Sequence, residues 1–194
     1  MSLSNRGRRV AADKAPDVGD GLEDIDLMRA DGTPVRLSEV VRGPTIVPIV
    51  RYYGCMPCRS FLLALEEQRP GAVRDGISIV GVGKAAGHQA EWLMSSAGIG
   101  YELLLDPDEN IYRALELGHF PWWKMLSPTT TRNYLRAVRR ARQGRITNHP
   151  LQAPGVVALD ENLRLTYVHR GATLGDYPPA NEVIDAVRSA SKGR

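Results

Sequence analysis

Residues 44–68 constrain the fold more than any other stretch. "PTIVPIVRYY" (44–53) is a β-branched run long enough for a buried strand. Phe61, Leu62 and Leu65 then open an apolar stripe at helical spacing. Both cysteines of the chain, Cys55 and Cys58, fall at the junction, in "GCMPC". A strand running straight into a helix predicts the first half of a β-α-β unit. Pro48 is awkward for a central strand, and Pro70-Gly71 is read as the end of the helix.

The remaining pattern completes the unit. "DGLEDIDLMRADGTPVRL" (20–37) reads as two short strands around Asp31-Gly32, followed by a short turn, "SEVV". "GISIVGVG" (76–83) and "YELLLD" (101–106) are strands, and 86–97 and 109–117 are helical, the second closed by Gly118. "GVVALDENLRLTYVHRG" (155–171) is a hairpin, and 178–190 an amphipathic helix. A β-α-β half followed by β-β-α is the thioredoxin architecture. The expected fold class is therefore α/β and thioredoxin-like. It has a central mixed sheet flanked by helices, an N-terminal β-hairpin, and a helical insert at about 121–146. One domain is expected over 19–190, with a flexible arm over 1–18 and a disordered tail over 191–194.

The 194 residues suffice for one sizeable core. No apolar run approaches the ~20 residues that a membrane span needs. Arg6, Arg8 and Arg9 near the start have no apolar stretch behind them, so the arm does not read as a secretory signal. The chain is expected to be cytoplasmic. In such a reducing compartment a C-x-x-C is more often catalytic or metal-binding than structural.

At a helix N-terminus the free N–H groups and the dipole favour a thiolate. Cys55 is accordingly expected as the exposed, low-pKa nucleophile and Cys58 as the resolving thiol. Pro57 suits the first turn, where its missing N–H costs nothing. Zinc would need two more ligands, and His88, His119, His149 and His169 lack ligand spacing. Neither metal nor cofactor is expected, while an inert pair of buried thiols stays open. Of Tyr52 and Tyr53, alternation turns one inward and one toward the rim of the site. Arg51 and Arg59 can support a thiolate or be solvated.

The chain resembles the thioredoxin-fold peroxiredoxin-like family, a branch of the alkyl hydroperoxide reductase/thiol-specific antioxidant superfamily, from about Gly19 to Ala190. The resemblance is carried by "RYYGCMPCR", "GVGKAAGHQAEWL", "LLLDPDENIYRALELG", "HPLQAPGVVALDENLRLTYVHRG" and "GDYPP". It implies thiol redox chemistry, with two departures. The family's P-x-x-x-T/S-x-x-C places a hydroxyl where this chain has Tyr52. Its peroxide-polarising Arg, counted back from Asp160, falls on Pro154. A proline there resembles the cis-Pro that thioredoxin relatives keep beside the C-x-x-C, so Pro154 is expected to be cis and to shape a substrate groove.

Charge is concentrated. Residues 122–146 carry +7 with no acid, against −4 for the rest. The insert is expected to be helical after Pro128, with Tyr134 or Leu135, Val138 and Ala141 as its apolar stripe. Arg132, Arg136 and Arg140 form an i, i+4 row. This row is either a solvated face or a docking face for an acidic partner. It lacks the aromatic-interleaved motif of a nucleic-acid binder, and no membrane partner is expected. Trp122 and Trp123 can be core, line an apolar groove, or make a homodimer contact. In "HRGATLGDYPP" a local Arg170–Asp176 pair is expected.

The function expected is a dithiol-disulfide oxidoreductase. Cys55 attacks the disulfide of a protein or small molecule, Cys58 resolves it, and Tyr52, Pro57 and Pro154 support. A thiol electron donor of thioredoxin, mycothiol or glutathione type resets the pair. The alternatives are a thiol peroxidase, with Cys55 peroxidatic and Cys58 resolving, and a redox-sensing binding module.

Overall fold

A computed structural model describes residues 14–146 and 151–192. Its centre is a seven-stranded mixed sheet in the order β2-β1-β5-β4-β3-β6-β7. The strands are β1 (Asp26–Met28), β2 (Pro34–Arg36), β3 (Thr45–Ile49), β4 (Ser78–Gly83), β5 (Glu102–Leu105), β6 (Gly155–Leu159) and β7 (Leu165–Arg170). Helices α1 (Leu37–Val40), α2 (Met56–Arg74), α3 (Gly87–Ser95), α4 (Asn110–Ala114), α5 (Pro128–Ala137) and α6 (Ala180–Lys192) complete it. β3, β4 and β5 pair in parallel, whereas β6 runs antiparallel to β3 and β7 to β6. The thioredoxin-like class expected from the pattern is the one found.

Alternation along β3 divides its side chains between two cores. Ile46 joins α2, α3 and α6 through Leu62, Leu65, Leu93 and Val183. Val47 and Ile49 join α1 and α4 through Leu37, Ile111 and Leu115. Each fully buried aliphatic side chain contributes about 1.5–3 kcal/mol, so residues on both faces of β3 hold it in place. Pro48 sits in this central strand. Pairing with β4 runs through Ile46, skips the proline and resumes at Ile49, so the missing N–H falls in a gap of the parallel ladder.

Several expectations are corrected. α2 continues through Pro70 and Gly71 to Arg74. Pro70 forfeits the bond to the carbonyl four residues back, but the extra turn carries Ala72 into the core, where it is fully buried. α4 stops at Ala114, and Glu116 rather than Gly118 takes the left-handed conformation after it. At the end of the arm Arg170 donates to the Pro16 carbonyl, and at the start of the domain Gly19 N–H donates to Leu165 O, so the chain from Pro16 onward is docked. Residues 1–13 lie outside those described. α6 runs to Lys192, taking the first residues of the expected tail.

The insert is the largest departure. A 3-10 turn (Trp122–Leu126) leads into α5, whose N-cap Ser127 accepts from Thr130 N–H. α5 ends at Ala137, and residues 141–146 have no regular structure. They form a strap across the N-terminus of α2. Gly144 N–H donates to Gly54 O at 2.7 Å, and the Gln89 amide donates to Arg145 O at 3.0 Å. These bonds to other segments replace the helical bonds that the sequence led one to expect.

Candidate active site

The loop between β3 and α2 carries the chemistry. Cys55 is the N-cap of α2, with Pro57 buried in the first turn and Cys58 one residue further. Both cysteines are free thiols, and both are fully buried. The expectation that Cys55 is exposed is therefore corrected. The strap lies over the helix mouth: Gln143 accepts from Met56 N–H at 3.1 Å and donates to Gly54 O at 3.0 Å and to Tyr52 OH at 3.2 Å. A β-carbon on Gly54 would strike the Arg145 carbonyl, so the strap can lie this close only over a glycine.

Arg51 is the residue whose role the sequence left undecided. Its side chain is 1% exposed. One terminal nitrogen donates to Cys55 Sγ at 2.9 Å and to the Tyr134 hydroxyl at 2.8 Å, and its guanidinium lies 5.7 Å from the centre of the Tyr52 ring. Burial opposes its charge, but Cys55, Cys58 and Tyr134 more than restore it, and its pKa is raised. Arg59 instead turns away: it donates to Tyr53 O and stacks its guanidinium on Trp92, 4.9 Å from the ring centre. Burial lowers its pKa.

The two thiols titrate as one system, with the sulfurs within hydrogen-bonding reach of each other. Burial pushes both up. Against it, Cys58 accepts hydrogen bonds from Cys55, Tyr177 and the Arg51 backbone and feels the Arg51 charge, which together bring it down to about 6. Cys55 is pushed well above the usual thiol value by burial and by donating to Cys58, although Arg51 and the Cys58 N–H counteract this. The pair therefore gives up its first proton below the ordinary thiol value, and the two sulfurs, with Arg51 beside Cys55, hold the resulting charge between them. Spacing alone does not reveal that sharing.

Three tyrosines ring the pair, Tyr52 from the same loop and Tyr134 and Tyr177 from distant segments. Tyr52 is buried, with its pKa pushed to about 12 by burial and then by the Cys55 charge. Tyr134 comes from α5. Tyr177, in the loop before α6, donates to Cys58 Sγ at 3.3 Å and stacks on Phe61, 4.5 Å between ring centres. Burial raises the pKa of Tyr134 and, further, that of Tyr177. Tyr53 points into the core and donates to Leu104 O; both tyrosines lie past the end of β3 and both are buried, so the turn rather than strand alternation sets their directions. No sequence signal pointed to Tyr134, Tyr177 or Gln143 as site residues, because each arrives from a segment separated from the cysteines by a long stretch of chain.

A cavity of about 430 Å³ opens beside Arg51, lined by Tyr52, Met125, Thr130, Tyr134, Gln143 and Leu174 among others. Most of its surface is apolar, with Arg51 as the one charge in its wall among the described residues.

The other expected site residues lie elsewhere or behave differently. Pro154 is trans, like every peptide bond among the described residues, and packs against Gly171, whose N–H donates to its carbonyl. The expected cis-proline groove is corrected. Trp122 and Trp123 are 65% and 61% exposed, so they are not core. Leu135 and Val138 are also exposed, and the inward face of the insert is Thr130, Tyr134, Ala137 and Ala141. Arg140 is drawn to Glu67 of α2 at 3.1 Å, while Arg132 and Arg136 face solvent. Arg170 donates to Leu115 O rather than pairing with Asp176, which caps Ala172 N–H. Among the described residues no group of three His, Cys, Asp or Glu side chains could hold a metal, and His149 lies outside them.

A family model described as "AhpC/TSA antioxidant enzyme" matches residues 64–173, more than half of the chain. The chain belongs to this family. It is thereby a peroxiredoxin-like, thioredoxin-fold oxidoreductase, as the resemblance implied. The family match begins after the C-x-x-C, so the disposition of the cysteines rests on the geometry above. Peroxiredoxin-like 2C of Mus musculus is 22% identical, covering 96% of this chain and 84% of that protein. Thioredoxin-like protein AAED1, chloroplastic, of Arabidopsis thaliana is 20% identical, covering 86% and 71%. Peroxidoxin BcpB from Mycobacterium tuberculosis superposes with a TM-score of 0.65 at 15% identity, covering 90% of this chain and 97% of that one. A cysteine-to-serine mutant of PrxQ from Xylella fastidiosa gives 0.68 at 12%, covering 92% and 99%. These two share the fold.

Proposed function

We propose that the chain is a thiol peroxidase that reduces a hydroperoxide in the cavity beside Arg51 and leaves a Cys55–Cys58 disulfide. The observation that carries this reading is the buried Arg51 guanidinium, 2.9 Å from Cys55 Sγ at the end of a cavity of small-molecule size. The same cation can stabilise both a thiolate and the negative charge that develops as an O–O bond breaks. Arg51 thus meets the need that Tyr52 and Pro154 do not.

In this reading the pair's single proton moves across to Cys58, which leaves Cys55 as the thiolate beside Arg51. Cys55 Sγ attacks one peroxide oxygen, the O–O bond breaks, and the alkoxide leaves and takes up a proton. Sulfur is oxidised to the sulfenic acid and the peroxide is reduced to an alcohol. Cys58 then attacks Cys55 Sγ, and the hydroxyl leaves as water. A thiol donor returns the disulfide to the dithiol state, and a cytoplasmic setting would keep it so.

The strap supports a small substrate over a protein disulfide, because it already occupies the backbone groups at the helix mouth. Stopped-flow measurement of intrinsic fluorescence or thiol loss, comparing hydroperoxides with protein and small disulfides, tests the proposal. Peroxide reduction should outpace free thiols by orders of magnitude. A faster reaction with protein disulfides would replace it with the disulfide-reductase reading.

A further inference from the structure

A second cavity, of about 350 Å³, opens on the other side of α5, between that helix, α2 and the start of α6. This size is at the low end for small-molecule pockets. Its wall includes Pro57 and Tyr177, and the Tyr177 hydroxyl bonds Cys58 Sγ. Tyr177 therefore links this cavity to Cys58, as Arg51 links the first cavity to Cys55. The dithiol is flanked by two separate chambers, one toward each sulfur.

The two chambers differ in character. The second is predominantly polar, and its wall holds two arginines, Arg136 and Arg140, against one carboxylate, Glu67, so it is net positive. Arg140 is shared with Glu67, whereas Arg136 has no carboxylate partner among the described residues. Ser60, Gln68 and Asn181 add a hydroxyl and two amides suited to peptide-like groups. Phe61 and Tyr177 supply an apolar floor.

We infer that this chamber binds the electron donor, and that the donor is a low-molecular-weight thiol carrying a carboxylate and amide groups. The inference rests on the peroxidase reading only for the origin of the disulfide. With Tyr177 swung aside, the donor thiolate attacks Cys58 Sγ. A donor–Cys58 disulfide forms, the Cys55–Cys58 bond breaks, and Cys55 leaves as a thiolate onto Arg51. A second donor thiolate attacks the donor sulfur of the mixed disulfide and releases Cys58. Two donor thiols are oxidised to one disulfide, the protein disulfide is reduced, and the donors' protons pass to the cysteines or to solvent. Oxidant and donor enter by different doors and need not displace each other.

The test begins from protein oxidised to the Cys55–Cys58 disulfide with diamide, so it proceeds even if the chain ignores peroxides. Reduction is followed with glutathione (anionic), cysteamine (cationic) and dithiothreitol (neutral). Glutathione should be favoured over cysteamine, with its advantage shrinking as salt rises, since exposed charges are screened over ~10 Å at 0.1 M. In Arg136→Glu the ratio of glutathione to dithiothreitol rate constants should fall by about five- to tenfold. Arg132→Glu, one turn away and outside the chamber, should leave that ratio unchanged. If Arg136→Glu folds poorly, Arg136→Gln should show a smaller fall in the same direction. An unchanged ratio in the Arg136 variants, or an equal fall in Arg132→Glu, would overturn the assignment. Failure of peroxide to oxidise the dithiol would overturn the peroxidase reading alone.

Discussion

The guanidinium of Arg51 lies 2.9 Å from the sulfur of Cys55, and both side chains are closed off from solvent. The short stretch between them lets the chain turn from β3 into α2, so the arginine ends beside the helix mouth it precedes. A cation supplied by the strand end, rather than by a distant segment, defines this site.

Replacing Arg51 with Met should lower the rate of peroxide reduction by about 10²–10³-fold, the usual scale for removing one preorganised donor from developing negative charge. It should also raise the pH at which the pair ionises. Stopped-flow rates together with thiolate absorbance at 240 nm would check both, and a loss of rate without the ionisation shift would assign Arg51 to peroxide binding alone.

The reduced pair should lose its first proton near pH 6, the position of Cys58. The folded value is below the ordinary thiol value of 9.0, so between pH 6 and 9 the folded chain binds fewer protons than the unfolded one. Stability of the reduced protein should therefore rise with pH across that window and be lost as pH falls through 6. Cys55, shifted upward, opposes this only as pH climbs past its unfolded value. Urea midpoints at several pH values should show the rise in the reduced wild type and not in Cys58→Ser.

Loosening the strap should open the site to larger reagents. Gln143→Ala removes the side-chain bonds to Met56, Gly54 and Tyr52, and Gly54→Ala forces the Arg145 carbonyl away. Both should speed alkylation of the cysteines by a bulky maleimide by roughly tenfold, with Gly54→Ala the stronger, because a backbone collision cannot be relieved by a side-chain rotation. Equal labelling in all three proteins would show that the strap does not limit access.

Trp122 and Trp123 stand out in solvent, so Trp122→Ser and Trp123→Ser should each change stability by no more than about 0.5 kcal/mol in urea melts. A loss of several kcal/mol would return them to the core that one reading of the sequence allowed.

Local pattern in the chain was enough to place the sheet, the helices on its faces and the cysteines. β-branched runs and helical stripes are short-range signals, and the strand-to-helix junction at Cys55 follows from the order of two of them. The same signals marked Pro57 as a first-turn residue, whereas the directions of Tyr52 and Tyr53 were set by the turn that follows β3. The chemistry at the sulfurs was settled only by folding. Arg51 could have pointed to water. Its burial depends on Tyr134, which arrives from α5, and on a strap whose backbone pairs with Gly54 instead of continuing a helix. The low value at Cys58 depends on a proton shared with Cys55 and on Tyr177, 119 residues away in the chain. Charges and hydrogen bonds act through space over a few ångströms, so their effect is fixed only once the folded chain has brought those groups together.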